Sequence, residues 1–313
     1  MNPSAHPAVL NALINHTGLP VTEAIKPRAL RQFFKEKSAS VALPSAVREH
    51  RLIGEQALEI VIVRPPHSEG QILPILLFVH GGGFYHGNID THAILTHKLA
   101  RRTPALVVHV EFSLSPEVKH PVAIEQCFTA LEWINRHGTD IGGDLSKLAI
   151  VGDSTGANMV AAVTALAKDR GNTSIQAQVL LYPTMGLNFA TKTREEYKED
   201  GLVTRQLIDY VWQLHLPAGT PPNRFAFPLL ATIDQLKGLP PALIIMAEND
   251  VLRDDGEAYH HKLISAGVAS LAVQFYGVRH GFMVNPKPST ASEAGIDQIV
   301  AFLRAIWKRK HKL

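Results

Sequence analysis

The chain has 313 residues, 46% of them hydrophobic and 19% charged, which suits one large globular core with room for an inserted lid. A net charge of +3 spread along the sequence leaves no nucleic-acid footprint, and no apolar run approaches the roughly 18 residues needed to span a bilayer. The single cysteine, Cys127, excludes an intrachain disulfide, and Met1–Leu10 lacks a basic stretch followed by an apolar one, so the expectation is a soluble, unexported, cytoplasmic protein.

Residues 1–45 read as polar and helical, with apolar residues at helical spacing over Pro7–Asn15 and Pro27–Glu36. From Val47 the texture changes to short β-rich runs: Val47–Ile53, Leu58–Val63, Ile75–Val79, Ala105–Val110, Leu148–Val151, Gln178–Leu181, Ala242–Met246 and Leu271–Phe275. Helical stretches follow the later ones, at Ala93–Arg102, Val122–Arg136, Asn158–Asp169 and Glu257–Ala266. Alternation of this kind predicts an α/β fold with a mostly parallel eight-stranded sheet covered on both faces, and the first two runs predict an antiparallel hairpin at one edge. Met185–Phe225 interrupts the rhythm with a polar stretch and then a helical Thr204–Leu216. The expected organisation is therefore N-terminal cap helices over 1–45, a core over 46–184, a cap insertion over 185–225, and the rest of the core over 226–313. Cys127 falls in an amphipathic helical pattern and reads as a core thiol.

The chemistry-bearing segments all lie just past predicted strands, where an open α/β sheet places its ligand. Leu148–Val151 runs straight into Gly152-Asp153-Ser154-Thr155-Gly156, and an Ala-rich helical stretch follows. A strand–Gly-x-Ser-x-Gly–helix arrangement exposes the serine at the tip of a tight turn, below a helix N-terminus that favours developing negative charge. A serine hydroxyl also needs a base, an orienter for that base and donors for the oxyanion. His80-Gly81-Gly82-Gly83-Phe84 follows Ile75–Val79, and its glycines open the backbone amides to a substrate oxygen; Gly82 and Gly83 are the chosen donors, joined by the N–H of Thr155. Of the 16 histidines, His280 stands out by its position after the last strand and after the best acid, while His80 reads as shaping the glycine loop. The acid is expected to be Asp250, the first Asp past Ala242–Met246; Glu248, Asp254 and Asp255 are the alternatives, the last two reading as caps of the following helix. No His-Glu-x-x-His, paired cysteines or tight His/Asp cluster is present, so no metal is assigned.

Four segments, His80–Phe84, Gly152–Gly156, Asp250–Asp254 and His280-Gly281-Phe282, together resemble the hormone-sensitive-lipase-like (bacterial family IV) esterases, and the resemblance spans nearly the whole chain. It implies an α/β-hydrolase fold, a Ser154–Asp250–His280 triad, an oxyanion hole from Gly82, Gly83 and Thr155, and hydrolysis of a small-molecule carboxylic ester of short to medium acyl chain without a cofactor. Phe84 closes the glycine motif, and Phe33, Phe34, Leu202, Val203, Trp212 and Phe282 are the expected lining of an apolar substrate pocket. The resemblance leaves a homodimer through the edge of the last strand open, though nothing in the residues requires one. The chain departs from the family at Thr155-Gly156-Ala157, where Ala-Gly-Gly is usual, and the Thr155 β-branch stands to crowd the acyl group or reorient the hole. Ser113 stands where the family carries an arginine, which leaves Glu117 in need of another partner. A non-catalytic small-molecule receptor, or an amidase or acyltransferase with the same triad, are the alternative functions.

Overall fold

The computed structural model describes residues 27–39, 43, 45–186, 191–197, 203–285, 287 and 289–309. The expected helix over Pro7–Asn15 and the residue Leu202 lie outside the described residues, as does the side chain of Phe34.

Eight strands form one sheet: β1 (Val47–Ile53), β2 (Leu58–Arg64), β3 (Leu73–Val79), β4 (Leu106–Glu111), β5 (Gly143–Asp153), β6 (Ala177–Leu181), β7 (Ala242–Asn249) and β8 (Ser270–Arg279). Their order is β1-β2-β4-β3-β5-β6-β7-β8. β1 and β2 form the expected edge hairpin, β2 also runs antiparallel to β4, and every pairing from β4 through β3 to β8 is parallel. The central strands read as unbroken apolar runs because both of their faces are covered, and Ile75, Leu76, Leu77, Phe78 and Val79 of β3 are all fully buried.

One face packs against α3 (Val122–His137), α4 (Thr155–Asp169) and α8 (Arg253–Ser265), with α1 (Pro27–Ala39), α6 (Arg205–His215) and α7 (Ile233–Leu236) joined to the same apolar cluster; the other packs against α2 (Ala93–Arg102) and α9 (Thr290–Arg309). Cys127 is buried in α3, as its amphipathic pattern predicts. Within 185–225 the short α5 (Lys192–Glu196) precedes α6, a turn of helix that its charged sequence does not advertise. Thr191 and Thr204 cap these two helices by accepting from Arg194 N–H and Leu207 N–H. No described helix is long and apolar enough to cross a membrane.

Parallel strands all point their C-terminal ends the same way. The loops after β3, β5, β7 and β8 consequently meet at one edge of the sheet, and they carry the glycine motif, Ser154, Asp250 and His280.

Candidate active site

Ser154 is the single residue between the end of β5 and the start of α4, with φ 54° and ψ −120°. A left-handed backbone at a residue with a Cβ costs on the order of 1–3 kcal/mol, so the surroundings must hold it. Its N–H donates to Leu181 O at 2.8 Å, and its carbonyl accepts from Asn158 N–H at 3.2 Å in the first turn of α4. The turn also presses against the end of β3. A Cβ on Gly156 would lie 2.5 Å from His80 O and would collide with Val79 O, so the second motif glycine is demanded by a close backbone approach.

From this turn a hydrogen-bonded chain runs across the site. The His280 Nε2 lies 2.8 Å from Ser154 Oγ, and its Nδ1 lies 2.7 Å from Asp250 Oδ2. With Nδ1–H donating to the carboxylate, Nε2 is left to accept the serine proton. Asp250 is only 2% exposed, and its other oxygen accepts from Leu252 N–H at 2.9 Å, which fixes the carboxylate plane. The Tyr182 ring meets the His280 imidazole edge-on at 4.9 Å between centroids, backing the base on its apolar side.

The other three acidic residues do different work. Glu248 accepts from Gly277 N–H at 2.8 Å and stitches β7 to β8. Asp254 accepts from Thr193 N–H at 2.9 Å, and Asp255 accepts from Met185 N–H at 2.8 Å while pairing with Arg194 Nη2 at 2.9 Å. Helix α8 begins at Arg253 with Leu252 at its N-cap position and no side-chain cap bond. The expected capping role of Asp254 and Asp255 is thereby corrected: Asp254 takes the Thr193 amide, and Asp255 takes the Met185 and Gly186 amides and the Arg194 guanidinium, instead of the N–H groups of their own helix.

The glycine loop adopts a run of left-handed residues, Gly82 at φ 109°, Gly83 at φ 63° and Phe84 at φ 61°. Gly81 N–H donates to Asp153 Oδ1 at 2.9 Å, Phe84 N–H to Thr155 Oγ1 at 3.3 Å, and Tyr85 and His86 N–H both donate to Gly82 O. The amides of Gly82 and Gly83 are thus the two in the loop that no described acceptor takes. Thr155, the departure from the family pattern, is 4% exposed and spends its hydroxyl on the loop, tying the glycine motif to the N-terminus of α4.

Beneath the loop lies a buried histidine cluster. His80 stacks between Phe112, at 4.2 Å, and His109, at 5.3 Å, and its Nδ1 lies 2.7 Å from Gly81 O. Burial pushes the His80 and His86 imidazoles down to about 3 and His109 well below the usual histidine range. Burial also acts to lower His92, but Asp153, with Oδ1 3.3 Å from His92 Nε2, outweighs it and the imidazole is raised. Conversely, burial acts to raise Asp153, and His92 and the Gly81 amide hold it below the usual carboxylate range. The charged Asp153 can therefore anchor Gly81 from directly beside the nucleophile. Burial raises the Glu111 carboxyl, at the end of β4, to about 7. Among the described residues no group of His, Cys, Asp and Glu is arranged to hold a metal ion.

Of the expected pocket residues, Phe84 and Trp212 come together, ring centroids 5.3 Å apart, with Phe227 4.5 Å from Trp212. His215 stacks on Phe84 at 3.7 Å and 9°. Phe33 is buried in the same cluster, with Val203 at its margin. Phe282 is corrected: the turn at Gly281 sends it into the cluster on the α2 and α9 face, beside Phe275 and Tyr182, away from Phe84. Sequence reasoning missed Phe227, His215, His92, Arg31 and Arg194, none of which carries a local motif.

Glu117 finds its partner in Arg31 of α1, whose Nη1 and Nη2 reach the two carboxylate oxygens at 2.9 and 2.7 Å. Ser113, without the family's guanidinium, instead pairs with Gln126, accepting from its Nε2 at 2.9 Å and donating its own N–H to the Oε1 at 2.7 Å.

A sequence profile described as the alpha/beta hydrolase fold matches residues 76–284. The chain is similar to carboxylesterase NlhH of Mycobacterium tuberculosis, 32% identical over 278 residues that cover 86% of this chain and 87% of the relative. Among solved structures it is similar to a fungal esterase from Rhizomucor miehei, with a TM-score of 0.88, 34% identity and coverage of 99% and 100% of the two chains. A thermostable esterase from Pseudomonas putida superposes with a TM-score of 0.87 at 34% identity, over 96% of each chain.

Proposed function

The chain belongs to the hormone-sensitive-lipase-like branch of the α/β-hydrolase family, and from that membership we propose that it is a serine carboxylesterase acting through an acyl-enzyme. The observation that carries the reading is the Ser154–His280–Asp250 chain, with both hydrogen bonds under 3 Å. Ser154 Oγ attacks the ester carbonyl as its proton passes to His280 Nε2, and Asp250 stabilises the imidazolium. The carbonyl oxygen becomes an oxyanion held by the N–H groups of Gly82, Gly83 and Thr155, at the positive end of α4. Collapse breaks the ester C–O bond, and His280 returns the proton to the leaving alcohol. Water, deprotonated by His280, then attacks the acyl-enzyme and releases the acid with Ser154 restored.

In this reading α1 and the 185–225 segment form a cap, and Phe84, Trp212 and Phe227 offer an apolar wall suited to short or medium acyl chains. Expected of wild type is turnover of 4-nitrophenyl butyrate, with Ser154→Ala lowering kcat by roughly 10⁴- to 10⁶-fold and leaving the circular dichroism spectrum intact. Unchanged turnover in that variant would move the nucleophile elsewhere. A set of esters each paired with its amide distinguishes an esterase from an amidase.

A further inference from the structure

One guanidinium from outside the sheet grips the backbone around the glycine loop. Arg31, on α1, donates from Nε to Tyr85 O at 2.6 Å and from Nη2 to Ser115 O at 2.7 Å, in addition to its two contacts with Glu117. Tyr85 is the residue whose N–H closes the glycine turn on Gly82 O, and Ser115 N–H donates to Phe84 O at 2.8 Å. All four carbonyl and amide contacts thus bear, directly or through Ser115, on the stretch Gly82–Tyr85. On either side of Arg31 in α1, Leu30 and Phe33 are buried to 7% exposure, so an apolar face seats the helix while Arg31 reaches beneath it.

Two considerations separate this contact from an ordinary surface ion pair. The Glu117 side chain is 60% exposed, and such a pair by itself contributes little. The carbonyl contacts are what a planar fork of five donors can make and a lysine ammonium cannot reproduce together. In addition, the loop holds three successive left-handed residues, a conformation that relaxes unless its surroundings over-determine it. Asp153 pins the loop at Gly81, Thr155 pins it at Phe84, and Arg31 pins it at Tyr85, just beyond the two free amides.

We propose that Arg31 is a positioning residue for the oxyanion donors, so that docking of α1 is a condition for the Gly82 and Gly83 amides to be aligned. The inference rests on the esterase reading above and adds to it a link between the N-terminal helix and transition-state stabilisation. A misaligned oxyanion site weakens the transition state and leaves ground-state binding nearly intact.

The test compares wild type, Arg31→Ala, Arg31→Lys and Arg28→Ala, the last removing a charge from the exposed side of the same helix. Kinetics on 4-nitrophenyl butyrate are paired with the inhibition constant of butylboronic acid, which forms a tetrahedral adduct with an active serine. Expected for Arg31→Ala is a kcat lowered about 10- to 100-fold with KM within about threefold, and boronate affinity falling in step with kcat. Arg31→Lys should share most of the loss, Arg28→Ala should match wild type, and millimolar methylguanidine should restore part of kcat in Arg31→Ala alone. A kcat unchanged in both Arg31 variants, a change confined to KM, or an equal loss in Arg28→Ala overturns the proposal. If Arg31→Ala does not fold, Arg31→Lys decides the matter by the same split. A wild-type protein that turns over no ester would instead remove the esterase reading, and this inference with it.

Discussion

The site is built from residues whose alternatives are excluded by a few ångströms of space. Thr155 illustrates how a departure from a family pattern is absorbed. Its hydroxyl accepts from Phe84 N–H at 3.3 Å in a buried setting, where a lost partner leaves an amide unsatisfied. Thr155→Val keeps the volume and removes the acceptor, so urea denaturation should show a loss of about 1–3 kcal/mol, most of it recovered in Thr155→Ser. Equal stability of the Val and Thr forms would mean that the 3.3 Å contact contributes nothing. Asp250 makes a second case. Asp250→Asn keeps the shape of the side chain but offers the wrong partner to His280 Nδ1–H, and kcat should fall about 10⁴-fold with folding retained.

The sequence displayed these residues because each is fixed by its own neighbours. Ser154 sits between an apolar run and an Ala-rich helix, and Gly156 must be glycine wherever a strand end crosses that turn. Arg31, His92 and Arg194 were illegible for the opposite reason. Arg31 meets Tyr85 and Glu117 across 54 and 86 residues of chain, and Arg194 meets Asp255 across 61, and no local spacing encodes such partners.

At the level of elements, all eight strands were legible, and the runs buried on both faces most closely because they have little freedom in composition. The polar start of β5 (residues 143–147) and the ends of β7 and β8 past Met246 and Phe275 were not. Within 185–225 the helical Thr204–Leu216 was legible and is α6, but the short α5 was not, because it is held by contacts made elsewhere. Helix α5 contributes Arg194, fully buried and paired with Asp255, whose Oδ2 also takes the amides of Met185 and Gly186 at 2.8 and 3.1 Å. This one carboxylate therefore ties Met185 and Gly186, in the stretch after β6, to α5 and α8, five residues downstream of Asp250. Removing one member strands a buried charge, which costs roughly 3–5 kcal/mol, whereas replacing both with apolar residues is often neutral. Asp255→Leu alone should be strongly destabilised, and the double variant Arg194→Met/Asp255→Leu should recover much of the loss in thermal unfolding. A double variant as unstable as the single one would place the energy in the Met185 and Gly186 amide bonds rather than in the ion pair.

Across the whole molecule, the same burial that builds the site writes a pH dependence into the fold. His80, His86 and His215 are pushed by burial down to about 3 from an ordinary 6.5, and His109 lies well below its usual value. Between those limits the unfolded chain takes up protons that the folded chain refuses, so stability is present above pH 6.5 and is lost as pH falls. Each such group can contribute a slope approaching 1.4 kcal/mol per pH unit, about one proton's worth. Three groups act the other way. Burial raises Glu111 to about 7 from 4.5 and also raises Asp255, each of which penalises the fold as pH rises through its shifted range, and the raised His92 favours the fold until pH passes its own value. The four lowered histidines outweigh these three between pH 5 and about 6.5, and the slope should keep its sign. Thermal unfolding followed from pH 7.5 down to 5 should therefore show a midpoint that falls well before the carboxylates titrate, with net proton uptake on unfolding by calorimetry in buffers of different ionisation enthalpy. A midpoint flat to pH 5 would require that the stacked His80 and His109 accept protons in place, which their burial against Phe112 and Phe78 opposes.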